Sequence, residues 1–336
     1  MVPQLAQAGV LGVGLSTSLG GRGGAVSEAV EAVAQVAQHS LSAAFAFWGQ
    51  RVLIHLLANT DNTALRDRHL PALLAGELAG ASGLSNVMKF LSGIESLSIE
   101  AQPHSEGGWT LNGKVPWCTN LRQPDFLVAV AVARADGRPP MIVAIPSDRA
   151  GLTRSPDLDL IALRGTNTAS LTLTNVRIDP SDLLAEAAPA FLPRVRPAFL
   201  GLQCGMSIGL ARASLAAAGQ RLGNDRHVLR TPTEQATQAL ADAVQALKAG
   251  VDDGAYVAAP QGLFRLRLTL NTIVQQAAQL ELQASGGRAY HRDIPSGFAR
   301  RWREAAFIPI VTPSVTQLLG ELEKHAAASG ADAVPA

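Results

Sequence analysis

Apolar positions along this chain change period twice. Through residues 1–78 they recur at helical spacing. Val30, Val33 and Val36 fall between Glu28 and polar neighbours, and Ser27 is placed to cap that helix. Further helices are predicted from about Leu41 to Leu57 and from about Asn62 to Gly76. From 79 to 187 the period falls to two. Leu97, Ile99 and Ala101 alternate with Ser98 and Glu100, and Leu171 and Leu173 alternate with Ser170, Thr172 and Thr174. Phe126 to Ala133 reads as a central strand, and Asn112-Gly113 reads as a tight turn. From about Ala188 the pattern is helical again, with Pro193, Pro197, Pro232, Pro260 and Pro313 marking starts, kinks or stops. Long helices are predicted over 198–222, 233–257, 262–285 and 314–326. The pattern divides the chain into an N-terminal helical domain (1–78), a central β-domain (79–187), a C-terminal helical bundle (188–326) and a frayed tail (327–336).

Composition narrows the function classes. Hydrophobic residues make up 47% and charged residues 16%, enough apolar surface for a large core and for subunit contacts. A net charge of +1 offers no basic excess for nucleic acid. The two cysteines, Cys118 and Cys204, form neither a disulfide framework nor a metal spacing, and a reducing, cytoplasmic location is expected. His104, His227 and His291 lack metal-ligand spacing, so no metal is expected. No basic segment precedes the first apolar stretch, so no signal peptide is expected. No apolar run reaches the ~20 residues of a membrane span, so no membrane contact is expected either. Gly20-Gly21-x-Gly23-Gly24 lacks the order and the preceding strand of a dinucleotide loop.

The most specific segment is Trp117-Cys118-Thr119-Asn120, followed by Leu163-Arg164-Gly165-Thr166 and by the strand ending Asn175-Val176. In this order the segments resemble the central β-domain of the acyl-CoA dehydrogenase superfamily. That resemblance implies an α+β fold: helical domain, β-barrel-like domain and four-helix bundle. It also implies a flavin cofactor, FAD with FMN as the alternative. Trp117 and Thr119 match residues beside the flavin ring, where an indole packs on the ring and a hydroxyl meets N5. Leu84-Ser85-Asn86-Val87 stands where the family has a second flavin strand, with Ser85 keeping the hydroxyl and Asn86 replacing a Glu. Gln283, Gly286 and Gly287 match a Gln-x-x-Gly-Gly turn that reaches the adenosine half of FAD bound mainly by a neighbouring subunit. The resemblance therefore implies a homodimer or homotetramer, or a hetero-oligomer with an active homologue. Arg226, displaced by about one position, stands near the family's pyrophosphate arginine, and Glu234 falls where a Gln usually follows. Arg196-Pro197 resembles an Arg-Pro near bound CoA, one helical turn early.

One part of the family's chemistry is missing. Its proton-abstracting carboxylate lies in a Glu-Gly-Thr turn after an Arg-Asp pair. Here the pair is Arg303-Glu304 and the turn is Thr312-Pro313-Ser314, so Thr312 holds the base position and Ser314 the position of the following Thr. A threonine is no general base near neutral pH. The alternative family position, on the first C-terminal helix, is also empty: 187–224 contains no Asp or Glu. Three readings follow. The first is a dehydrogenase-like oxidoreductase acting on an acyl thioester or similar substrate with a relocated base such as His291 or Asp293. The second is a flavin-dependent monooxygenase of the same fold, and the third a non-catalytic subunit paired with an active homologue.

Overall fold

The computed structural model describes residues 1–291 and 297–328. Four helices come first: α1 (Val2–Gln7), α2 (Val26–His39), α3 (Leu41–Ala58) and α4 (Thr63–Leu74). Strands β1 (Ala79–Gly83), β2 (Ile99–Pro103), β3 (Trp109–Cys118), β4 (Phe126–Arg134), β5 (Met141–Pro146), β6 (Leu152–Arg154), β7 (Ala169–Ile178) and β8 (Leu183–Ala185) follow. A short helix, α5 (Ser85–Leu91), interrupts them. The chain closes with α6 (Ala188–Gly219), α7 (Arg230–Asp252), α8 (Ala255–Ala258), α9 (Pro260–Ser285), α10 (Gly287–Tyr290), α11 (Phe298–Ala305) and α12 (Val315–Ala328).

The strands form one curled sheet in the order β6-β7-β3-β2-β4-β5-β8, with β1 added in parallel beside β4. Strand β4 is the shared wall of the molecule. Leu127, Ala129 and Ala131 pack into a core common to the N-terminal and C-terminal helices, whereas Phe126, Val128, Val130 and Val132 fill the interior of the sheet. Helix α3 is long and apolar enough, by length and composition, to cross a membrane, but 78% of it is buried against the rest of the chain. It is the central helix of the shared core.

Helices α2 and α6 cross very closely. A Cβ at Gly205 would lie 2.6 Å from the Val30 carbonyl oxygen, and one at Gly209 would lie 2.1 Å from that of Ala34. The two glycines are four residues apart, so they share one face of α6 and open a groove for α2.

Several local expectations are corrected. Helix α2 starts at Val26 with Ala25 as its N-cap, and Glu28 accepts from the Ala25 N–H at 3.1 Å. Ser27 is therefore not the cap; its N–H and hydroxyl both donate to Asp252 on α7. Asn112-Gly113 is not a turn but a bulge within β3, with Gly113 at φ 149°. A Cβ there would sit 2.1 Å from the Ser98 carbonyl. Asn112 is engaged across the sheet instead, accepting from the Asn175 N–H at 2.9 Å and donating to its side chain at 3.2 Å. Pro193 and Pro197 lie inside α6, which begins earlier than the prolines suggested. The tail assigned to 327–336 lies outside the described residues beyond Ala328.

Two basic side chains of α3 lie against the shared core, Arg51 buried and His55 half-buried. Arg51 donates to the Val13 carbonyl at 3.0 Å, and burial lowers its guanidinium to about 10, so it stays charged at neutral pH. His55, one turn on, is pushed down to about 4, first by burial and then by the charge of Arg51. Its ordinary value is 6.5, so the unfolded chain binds a proton that the folded chain refuses between pH 6.5 and 4. The contribution is present above that window and is lost as pH falls through it, by on the order of 3 kcal/mol. A His55→Phe variant is expected to flatten the dependence of melting temperature on pH over that range. An unchanged acid slope would place the titrating group elsewhere.

Candidate functional site

The site is built at the end of β3. The strand leaves the sheet at Cys118, paired with Ala169, and Asn120 then turns into the left-handed region at φ 65°. Asn tolerates that conformation when its amide is held. Here Asn120 Nδ2 donates to Gln50 Oε1 and to the Gly80 carbonyl, each at 2.9 Å. The same Gln50 Oε1 accepts the Gly80 N–H at 2.6 Å, while Gln50 Nε2 donates to the carbonyls of Leu73 and Leu78 at 2.9 Å. One fully buried glutamine on α3 thus ties β1, the α4–β1 connection and the end of β3 together. Backbone bonds from Asn120 to Thr166 (2.9 Å) and from Leu121 to Asn167 (3.1 Å) complete the lock.

Two side chains displayed by this strand end have opposite fates. Trp117 is 60% exposed, unusual for an indole. Thr119 is buried, with its hydroxyl 2.7 Å from that of Thr168, which lies 2.7 Å from that of Thr166. Thr166 in turn donates to the Leu163 carbonyl at 2.7 Å. A carbonyl only accepts, so the direction of the whole relay is fixed. Thr166 accepts from Thr168, and Thr168 accepts from Thr119. Thr119 has used its single proton and offers further partners only lone pairs. Cys118, between them, has a thiol pushed up to about 12 by burial, and burial likewise raises Cys204 to about 11; neither is a thiolate near neutral pH.

Leu84 and Ser85 do not form a second strand. β1 stops at Gly83, Leu84 is the N-cap of α5 and Ser85 its first residue. The run Val87, Phe90, Leu91 has the i, i+3, i+4 spacing of a helix. Asn86 staples α5 to the following loop, accepting from the Ser98 N–H at 2.9 Å and donating to the Ser96 carbonyl at 2.9 Å. The helix is then fastened to α12. Gln317 Nε2 donates to the Met88 carbonyl and to Ser92 Oγ at 3.0 Å each, and Lys324 donates to the Ser92 carbonyl.

This contact brings α5 to the turn that carries Thr312 and Ser314. Ser314 accepts from the Gln317 N–H at 3.3 Å and so caps α12. The Thr312 carbonyl accepts from Gln203 at 2.9 Å, and Gln203 accepts from the buried Arg267, which also donates to the Ile308 carbonyl at 3.2 Å. The turn is held by its backbone, and the Thr312 side chain stays partly exposed. The Arg303-Glu304 pair does not interact as a pair. Glu304 is buried, accepts from Arg300 at 2.8 Å and from the Leu41 N–H at 3.2 Å, and its carboxyl is raised by burial against the pull of Arg300.

A second corner gathers Arg226 and the glycine turn. Arg226 pairs with Asp225 at 2.8 Å, and its Nη2 would lie 3.5 Å from a Cβ at Gly286. Gly286 ends α9 and Gly287 opens α10, with Gln283 exposed on the last turn of α9. Glu234 is exposed on α7, and His291 is exposed just beyond α10. Asp293 lies outside the described residues. Arg196 faces a cleft that Pro313 also lines, so it shares a neighbourhood with the Thr312 turn.

Sequence reasoning missed Gln50, Gln317, Gln203 and Arg267. Gln50 and Arg267 carried a signal, a polar residue in the apolar stripe of a buried helix. Gln203 carried the same signal within the apolar run of α6, and Gln317 carried none without the fold.

Comparison with known proteins places these features in a family frame. Residues 1–77 match the family model for the acyl-CoA dehydrogenase N-terminal domain. Mitochondrial isovaleryl-CoA dehydrogenase of Pongo abelii is 27% identical over 194 residues, covering 54% of this chain and 44% of that protein. Dibenzothiophene monooxygenase of Rhodococcus erythropolis is 24% identical over 265 residues, covering 68% and 63%. The chain thus spans about half the length of the curated relatives it matches. The structure of a glutaryl-coenzyme A dehydrogenase in complex with glutaryl-CoA superposes with a TM-score of 0.84 at 18% identity, covering 98% of this chain and 86% of that one. It has the same order of helices, curled sheet and helices.

Proposed function

We propose that the chain is a member of the acyl-CoA dehydrogenase superfamily, as the match of residues 1–77 and the shared fold support, and that it is a flavin-binding oxidoreductase acting on an acyl thioester or a similar substrate. FAD is the first choice of cofactor and FMN the second. The observation that carries this reading is the exposed Trp117 indole, held on a strand end by the Gln50–Asn120 lock. A flat apolar surface in a fixed orientation is what an isoalloxazine ring requires of its wall. Arg226, beside Gly286, would offer a phosphate a cation and a close backbone approach once it leaves Asp225. A homo-oligomer in the cytoplasm completes the proposal. A bound flavin would supply hydride transfer; the chain's residues position it and the substrate.

The Thr119 relay and the Thr312 turn favour a second reading. An oxygen that can only accept suits a flavin protonated at N5, and a site without a carboxylate at 312 suits chemistry that needs no carbon acid. Both fit a monooxygenase of this fold that works from reduced flavin and dioxygen.

The purified protein tests these readings by its visible spectrum and by titration with FAD and FMN. A protein that remains colourless after added flavin sinks both enzymatic readings and leaves the non-catalytic subunit. Trp117→Ala is expected to weaken flavin binding about tenfold or more, from lost stacking and burial. Its melting temperature without flavin should be unchanged, since the indole is exposed. Equal flavin affinity in both proteins would remove Trp117 from the site. With flavin bound, anaerobic bleaching by an acyl-CoA supports the dehydrogenase. Thr312→Glu is expected to raise the bleaching rate roughly 10²–10⁴-fold, the usual worth of a general base. No rise would show that Thr312 does not stand at the base position.

A further inference from the structure

A cleft of about 240 Å³ opens between α5, the first turns of α6, α9 and α12. Leu91, Leu192, Phe264 and Leu318 make its walls apolar. At ~30 Å³ per water it has room for about eight waters, and it falls below the ~300 Å³ at which drug-sized sites begin. Its occupant is therefore small, a single ring or branched chain with a compact polar head.

Two polar groups that line this cleft lack partners. Gln317 is 6% exposed, and the orientation of its amide is fixed, because the Met88 carbonyl can accept only from the nitrogen. The Oε1 atom is left buried with no hydrogen-bond partner. On the α6 side, Arg196 lies with its guanidinium carbon 5.6 Å from the centre of the Phe264 ring. Its Nε is likewise buried and unpartnered. Among the described residues no carboxylate lies within ion-pair distance of Arg196. Glu321, the one acid lining the cleft, is 3.1 Å from Lys324 and lies beyond ion-pair distance of Arg196. Burial works against the charge on Arg196, with Glu321 opposing that effect.

An unmatched guanidinium calls for an anion, and a fork of N–H donors fits a carboxylate best. An unmatched buried amide oxygen calls for an N–H or O–H donor. We propose that this cleft binds a small free hydroxy carboxylate with a compact apolar side chain. The carboxylate meets Arg196, the hydroxyl donates to Gln317 Oε1, and the side chain lies against Phe264 and the leucines. The cleft borders the Thr312 turn through Pro313, but the assignment goes beyond the flavin reading and does not depend on a bound flavin.

Isothermal titration of the intact protein with mandelate tests it, since mandelate has one ring, one hydroxyl and one carboxylate. Saturable one-to-one binding is expected. Phenylacetate, which lacks the hydroxyl, should bind about tenfold more weakly, the value of one hydrogen bond to a buried acceptor. Methyl mandelate, which lacks the charge, should bind at least tenfold more weakly, as should mandelate with Arg196→Gln. The melting temperature of that variant shows that it is folded. Absence of saturable mandelate binding at millimolar concentration overturns the proposal, as does undiminished binding to Arg196→Gln. Equal affinity for mandelate and phenylacetate overturns the role of Gln317. Flavin titration of the same samples reports on the cofactor separately.

Discussion

Gly209→Val should lower the melting temperature by roughly 4–5 °C, from a loss of about 3 kcal/mol. The added carbon would start 2.1 Å from the Ala34 carbonyl oxygen and 2.6 Å from the Ala37 Cβ, and both belong to α2 rather than to a flexible side chain. Relief requires that α2 and α6 move apart, and that parts the core they share with α3. Helix propensity alone would favour Ala over Gly here by about 1 kcal/mol, so Gly209→Ala gives the sharper comparison. It should destabilise despite its better propensity. Thermal denaturation followed by circular dichroism reads both variants. A Gly209→Ala protein as stable as the parent would mean that the crossing is looser than the geometry indicates.

The second large effect is expected at Gln50. Gln50→Leu preserves volume but takes the side-chain partner from the Gly80 N–H and the Leu78 carbonyl, removes one donor from the Leu73 carbonyl, which keeps the Gly76 N–H, and takes one of the two acceptors from Asn120. Each buried polar group left unmatched costs about 1–3 kcal/mol, so a total of about 3 kcal/mol or more is expected even after local relaxation. The loss should be focused. Hydrogen exchange of the Gly80 amide should accelerate far more than that of amides in β5 or β7. Flavin affinity should fall with it, because the strand end that carries Trp117 loses its anchor. Trp117→Ala affects affinity alone. Gln50→Leu affects affinity, exchange and stability together, and this distinguishes a residue that holds the wall from the wall itself. Unchanged Gly80 exchange in Gln50→Leu would refute the anchoring role.

Much of the fold could be read before any coordinates. Val30 and Val33 at helical spacing, Leu171 and Leu173 in alternation, and the apolar run from Phe126 each formed the predicted element, because local period and tertiary burial agree there. The failures have physical reasons too. In Asn112-Gly113 the strongest local turn signal was overridden, since Asn112 finds a cross-strand partner in Asn175 and Gly113 lets β3 pass close to Ser98. In Leu84-Ser85-Asn86-Val87 the resemblance pointed to a strand, but the spacing of Val87, Phe90 and Leu91 together with anchoring by Gln317 produces α5. The segment holding Trp117 and Thr119 was legible as a motif, and the structure puts both at one strand end. The polarity of the hydroxyl relay was not, because it depends on Leu163 and Thr166, which only the fold brings near. The unmatched edges of Arg196 and Gln317 were equally invisible, as they lie on helices far apart in sequence.

Strand β4 carries one more consequence. A half-buried strand keeps its register because a slip of one residue would move its greasy side into water. β4 has no wet side, so transfer free energy alone would barely notice such a slip. Side-chain size does the work instead. The alanines at 129 and 131 leave room for the helices that cross them, while the valines at 128, 130 and 132 fill the space inside the sheet. Exchanging the two sets would crowd one side and hollow out the other, each valine-for-alanine mismatch costing about a kcal/mol or more. In this strand the address is encoded in volume, and a substitution that conserves hydrophobicity but not bulk would be the one that corrupts it.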